Sequence, residues 1–178
     1  PVITSFSPAN GSPGSNFVIT GSGFVDISSV KFTEVEAGAA NITVNSANQI
    51  TVKVPAGATS GKIKVTNALS TATSTNTFYV TPFISAITPT STSAGSTITI
   101  SGTNLEGSTV NFGSTPATPL TNTGTTITVT VPAGVLGAMN VTVVNSGGTS
   151  NIKTFTATPP VVLDEIVATK NIAGQLLL

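Results

Sequence analysis

The side chains that could carry acid–base chemistry in this chain are six carboxylates, six lysines and one tyrosine. The carboxylates are Asp26, Glu34, Glu36, Glu106, Asp164 and Glu165. Glycoside hydrolysis needs two such groups facing one another across a cleft. Glu34 and Glu36 instead share a polar, loop-like stretch, TEVEAG, and Asp164 and Glu165 are immediate neighbours. A calcium site would want more oxygen ligands than either pair supplies. Solvated surface is the reading for all six. Serine and threonine abound, but no imidazole accompanies them, because the chain has no histidine, and nothing frames a serine–lysine dyad. It has no cysteine either, which removes thiolate chemistry, soft metal sites and a disulfide framework. The chain is therefore expected to be no enzyme and to need no cofactor or metal.

The same arithmetic bears on partners. All six cations are lysine and the net charge is zero. A nucleic-acid groove needs clustered cations, so none is expected. Only 7% of the 178 residues are charged, against about 25% in an ordinary soluble protein. Mean hydropathy is +0.38, yet no apolar run approaches the roughly 18–20 residues of a spanning helix. The apolar residues lie in a Thr/Ser/Asn/Gly background rich in Val and Ile, which favours strands. A near-neutral surface gives little colloidal repulsion, so the protein is expected to work attached to other protein subunits, in an oligomer or on a lattice.

The elements that must position these residues are written twice. PVITSFSPANGSPGSNFVITGSGF (Pro1 to Phe24) is matched by PFISAITPTSTSAGSTITISGTNL (Pro82 to Leu105). Pro8 corresponds to Pro89, Gly14 to Gly95, Ile19 to Ile100 and Gly21 to Gly102, each displaced by 81. VKF ending at Phe32 matches VNF ending at Phe112, and ITVKVPAG (Ile50 to Gly57) matches ITVTVPAG (Ile127 to Gly134). The displacement changes only between strand-like blocks, as when loops shorten while packed elements stay fixed.

Within each copy, period-2 alternation marks half-buried antiparallel strands. Ile50, Val52 and Val54 alternate with Thr51 and Lys53, and Ile127, Val129 and Val131 with Thr128 and Thr130. Pro55 and Pro132 cannot donate to a ladder and should end these strands. Phe6, Phe17, Phe32, Phe78, Phe112 and Phe155 fall on core positions. About seven short strands per repeat indicate an immunoglobulin-type β-sandwich. The blocks P-x-I-x-x-x-x-P, G-S-x-x-x-I-T-G-x-x-F, V-x-F and I-x-V-x-V-P resemble the IPT/TIG domain. In the second copy Asn104-Leu105 replaces Gly23-Phe24. The resemblance implies an all-β chain of two tandem immunoglobulin-like sandwiches, residues 1–80 and 82–157. Members serve as spacers, adhesion modules and dimerisation modules, so it implies little about role. The copies are joined by Tyr79-Val80-Thr81-Pro82-Phe83, a stiff connection that predicts a semi-rigid rod.

Residues 158–178 come after the second copy and have no counterpart after the first. Their apolar run is read as an assembly anchor, with Val161, Leu163, Ile166, Ile172, Leu176, Leu177 and Leu178 as the partner-binding residues. The chain begins at Pro1 with no charged-then-apolar leader, and with the anchor this points to a bacteriophage virion surface component, a capsid-decoration (cement) or fibre protein that leaves the cell by lysis. The alternative is a spacer or adhesion segment of a bacterial cell-surface protein. A glycan-binding module is disfavoured, since the chain has no tryptophan and one tyrosine, Tyr79.

Overall fold

The computed structural model describes residues 1–160 and, beyond them, the backbone of two short strands. The first repeat folds as β1 (Val2–Ser7), β2 (Asn10–Gly11), β3 (Asn16–Ser22), β4 (Ile27–Phe32) and β5 (Val35–Ala37). A single 3-10 turn at Ala39–Asn41 leads to β6 (Ile42–Ser46), β7 (Gln49–Lys53), β8 (Gly61–Asn67) and β9 (Thr71–Val80). The second repeat gives β10 (Phe83–Thr88), β11 (Ser91–Ser93), β12 (Thr97–Thr103), β13 (Thr109–Phe112) and β14 (Thr115–Ala117). It continues with β15 (Thr121–Asn122), β16 (Thr126–Thr130), β17 (Gly137–Asn145), β18 (Gly148–Thr149) and β19 (Lys153–Thr158). The last two strands, β20 (Thr169–Lys170) and β21 (Leu176–Leu177), pair antiparallel.

In the first repeat β1-β3-β7-β6 form one sheet and β2-β9-β8-β4-β5 the other. In the second, β10-β12-β16-β15 face β11-β19-β17-β13-β14, with β18 paired to β17. The first strand of each repeat changes sheet at a proline. Pro8 and Pro89 lack the N–H a ladder needs, and the chain beyond each joins the opposite sheet as β2 or β11. There it runs parallel to β9 or β19.

The alternation read from the sequence is what buries the core. Ile50 and Val52 are fully buried while Lys53 is exposed, and Ile127 and Val129 are buried in the matching strand. Pro55 and Pro132 lie beyond the ends of β7 and β16, as expected. Each fully buried side chain of this size contributes roughly 1.5–3 kcal/mol. The first core is aromatic. Phe17 stands 4.8 Å from Phe78 and 5.3 Å from Phe32 between ring centroids, and the half-buried Phe6 caps the group. In the second repeat Ile98 and Ile87 take the places of Phe17 and Phe6, leaving Phe112 and Phe155 as a pair at 5.7 Å.

Two matched glycines set the seam between the first two long strands of each repeat. A Cβ at Gly21 would lie 1.9 Å from the carbonyl oxygen of Val2, and one at Gly102 2.0 Å from that of Phe83. Both face a register shift in the opposing strand, between Ile3 and Ser5 and between Ile84 and Ala86.

TEVEAG is not simply a loop. Val35–Ala37 pair with β4 as an edge strand, and Glu36 lies opposite Lys31. The segment is too short and polar to announce a strand, and its ladder partner supplies the order. Among the described residues no helix is long and apolar enough to cross a membrane.

Candidate functional site at the domain junction

The structure scatters the carboxylates among the described residues. Glu34 makes an exposed ion pair with Lys64 at 3.8 Å, Glu36 sits on the outer face of β5, and Asp26 occupies a left-handed turn with φ 50°. No group of three or more acidic, histidine or cysteine residues there could hold a metal ion. Asp164 and Glu165 lie outside the described residues. So do Val161, Leu163, Ile166, Ile172 and Leu178 of the expected anchor. Leu176 and Leu177 form β21, of which only the backbone pairing with Thr169–Lys170 is described.

What the fold does bring together is the junction of the two sandwiches. β9 passes into β10 through Thr81 and Pro82 alone. The Thr81 N–H still donates to Gly11 at 3.0 Å, so the ladder of the first sandwich runs up to the linker. Just beyond it, Asn151 clasps Ile84, accepting from its N–H at 2.7 Å and donating to its carbonyl at 3.0 Å. The connection is thus held by a backbone hydrogen bond on one side and by the Asn151 side chain on the other.

Side chains then tie one sandwich to the other. The carbonyl of Gly147 accepts from Thr81 Oγ1 at 3.0 Å and from Asn10 Nδ2 at 3.3 Å. Asn104 Nδ2 donates across the junction to the Ala58 carbonyl at 3.2 Å. A Cβ on Gly147 would stand 2.3 Å from the Val80 carbonyl oxygen, so this close approach requires glycine.

The loops of the second sandwich that make these contacts are pinned by one residue. Asn145 Nδ2 donates to the carbonyls of Asn104 at 2.8 Å and Glu106 at 3.1 Å, while its Oδ1 accepts from the Gly147 N–H at 2.8 Å. Its counterpart Asn67 does the same in the first sandwich. It donates to Gly23 and Val25, both at 3.3 Å, and accepts from the N–H groups of Leu69 and Ser70. A second matched pair lies inside. Ser74 Oγ accepts from the Ile63 N–H at 3.0 Å, and Ser150 Oγ from the Val143 N–H at 2.9 Å. Sequence reasoning passed over all four; the signal was their recurrence in both copies, Asn67 closing IKVTN and Asn145 closing VTVVN.

Beside the junction lies a cleft of about 350 Å³ lined by Thr59, Ser60, Tyr79, Glu106, Asn145 and Gly147, among others. Tyr79 is 38% exposed there. Among the described residues Glu106 is the sole carboxylate on its wall, so they do not assemble the two-carboxylate arrangement of glycoside hydrolysis there. Chemically the site is a set of hydroxyls, amides and carbonyls that hold two bodies in one orientation.

Two facing sheets per repeat, with the first strand split between them and the copies in tandem, define an all-β protein of two immunoglobulin-like sandwiches. The chain belongs to the IPT/TIG domain family, whose model matches residues 1–80 and 82–157. No curated protein matches it. Among solved structures it is similar to SGBP-B from a complex xyloglucan utilization locus in Bacteroides uniformis, at 23% identity and a TM-score of 0.40 over 88% of this chain and 49% of that one. It is also similar to the surface glycan-binding protein PbSGBP-B from Prevotella bryantii, at 17% identity and a TM-score of 0.45 over 98% of this chain and 46% of that one. The plexin A4 full extracellular region matches at 24% identity and a TM-score of 0.42, over 90% of this chain and 16% of that one. The chain spans less than half the length of each of these three structures.

Proposed function

We propose that this chain is a non-catalytic spacer of a bacterial cell-surface protein, a rod segment that fixes the distance and direction between the groups attached at its two ends. The observation that carries the reading is the junction. A two-residue linker, hydrogen bonds from Thr81, Asn10 and Asn104, and a glycine pressed against the Val80 carbonyl hold the sandwiches as one body. A flexible tether would lack all of these. The sparsely charged, hydroxyl-rich surface, of zero net charge, supports a part that presents other groups and does not itself capture charged ligands. Small-angle X-ray scattering on the whole chain, with residual dipolar couplings, tests this. One alignment tensor shared by both sandwiches is the expected result. Two independent tensors would end the spacer reading.

The apolar residues after the second repeat favour a second reading, in which the same rod decorates a virion and docks through Val161, Leu163, Ile166, Ile172 and Leu176 to Leu178. A chain ending at Pro159 that still bound its assembly would remove that reading.

A further inference from the structure

The cleft beside the junction takes one wall from each sandwich. The first contributes Thr59, Ser60 and Tyr79, the second Glu106, Asn145 and Ser146. Two of these are already engaged, Asn145 in pinning its loops and Ser60 Oγ in accepting from the Val80 N–H at 2.9 Å. The others are not. Among the described residues the hydroxyls of Tyr79, Thr59 and Ser146 and the Glu106 carboxylate have no hydrogen-bond partner, and no lysine pairs with that carboxylate. Glu106 is nonetheless placed, lying against Gly124, where a Cβ would stand 2.0 Å from its Oε1. With Thr59 it also lines a smaller cleft of about 170 Å³ that continues past Asn104 to Thr125.

The two copies differ at these positions. Leu136, Gly137 and Thr156 of the second match Thr59, Ser60 and Tyr79, while Val25 and Ala68 of the first match Glu106 and Ser146. A ring, a carboxylate and unpaired hydroxyls therefore meet where the two walls meet, and the matching positions carry no such set. Joining the sandwiches does not call for them, since Asn10, Thr81 and Asn104 make the hydrogen bonds across the junction. An aromatic face with a few convergent polar groups, in a cleft above roughly 300 Å³, is the lining of a small-molecule site. The lone carboxylate repels an anion, and an apolar ligand would leave the hydroxyls without partners. What suits the lining is a neutral ring with an apolar C–H face for Tyr79 and hydroxyls along its edge.

We infer that this cleft binds a neutral saccharide, one sugar ring lying on Tyr79 while adjacent hydroxyls donate to the Glu106 carboxylate and exchange hydrogen bonds with Thr59 and Ser146. A longer sugar chain runs on along the smaller cleft toward Thr125. One aromatic face and a water-exposed carboxylate make a weak site, with a dissociation constant on the order of 1 mM. The inference rests on the spacer reading, because the walls stay opposed only while the sandwiches keep one orientation.

Amide chemical shifts of the full chain, followed during titration with cellotriose, maltotriose and mannotriose, test it. At least one of these sugars should move residues of both walls together, around Thr59, Tyr79, Glu106 and Ser146. Tyr79→Thr, which copies the residue at the matching position of β19, and Glu106→Gln should each weaken binding about tenfold. Tyr79→Phe keeps the ring and should stay within about twofold. Both side chains are exposed, so melting should not change; if Tyr79→Thr melts early, Thr59→Ala and Ser146→Ala take its place and should weaken binding instead. No shift with any of the sugars, shifts confined to one sandwich, or binding that survives these substitutions would overturn the inference. So would a lysine tripeptide that moves the same amides where the sugars do not, which would make the cleft an ammonium site. Alignment tensors measured on the same samples separate the two readings: one shared tensor leaves the spacer standing, and two remove it as well.

Discussion

Gly147 lies against Val80, the position of its missing Cβ only 2.3 Å from the Val80 carbonyl oxygen. The two residues belong to different sandwiches, so this one contact sets how near they come. Gly147→Ala should therefore act on the relation between the sandwiches more than on either one. Each should keep its own melting temperature within a few degrees, because surface changes of this kind cost on the order of 0.5 kcal/mol. Their alignment tensors, in contrast, should separate.

Gly21 and Gly102 answer to a different constraint. An added methyl at either would strike the carbonyl of Val2 or Phe83 at about 2 Å, well inside contact distance. Gly21→Ala or Gly102→Ala should push the first strand off its neighbour at a cost of about 2–3 kcal/mol, as overpacking does. For sandwiches of this size that lowers the melting point by roughly 10–20 °C, readable by calorimetry. Only the sandwich carrying the substitution should be affected.

Asn67 and Asn145 make the same hydrogen bonds in their own sandwiches, yet their loss should read differently. Asn67→Ala and Asn145→Ala should each destabilise by about 1–3 kcal/mol, since carbonyl and N–H groups are left without partners. Asn145→Ala should also loosen the junction, because the loops it releases carry the contacts of Asn104 and Gly147. Amide exchange at Thr81 and Ile84 should rise in that variant and stay unchanged in Asn67→Ala.

Phe17 touches Phe6, Phe32 and Phe78, whereas its counterpart Ile98 belongs to a core with only two phenylalanines, Phe112 and Phe155. Phe17→Ala should cost about 3–5 kcal/mol. That is a large share of the stability of an 80-residue sandwich with no disulfide. The first sandwich should then unfold in a separate, earlier transition, visible as two peaks where the parent chain shows one or two close ones.

How far these features could be read from the chain depends on the range of the interaction. Strict alternation at Ile50–Val54 and Ile127–Val131 reports a local fact, which face of a strand is wet, and it read correctly. Pro55 and Pro132 ended their strands for an equally local reason. Glu36 was misread as loop because β5 owes its order to a ladder with β4 and not to its own three residues. The roles of Asn145 and Gly147 were not visible at all. Their partners, Asn104, Thr81 and Asn10, lie 41 to 137 positions away, and nothing in an Asn-Ser-Gly-Gly turn names them. The serines at 74 and 150, whose hydroxyls accept from strand N–H groups, hid in a sequence crowded with hydroxyls.

The parallel pairing of β2 with β9, and of β11 with β19, has a mechanical consequence. A pull applied to the two ends of a sandwich drags these strands lengthwise past one another. The bonds from Tyr79 to Ala9 and from Thr81 to Gly11, and from Thr156 to Thr90 in the second sandwich, then bear load together and do not peel open singly. Tension delivered along the chain meets its stiffest resistance at the first and last strands, before the hydrophobic interior is strained.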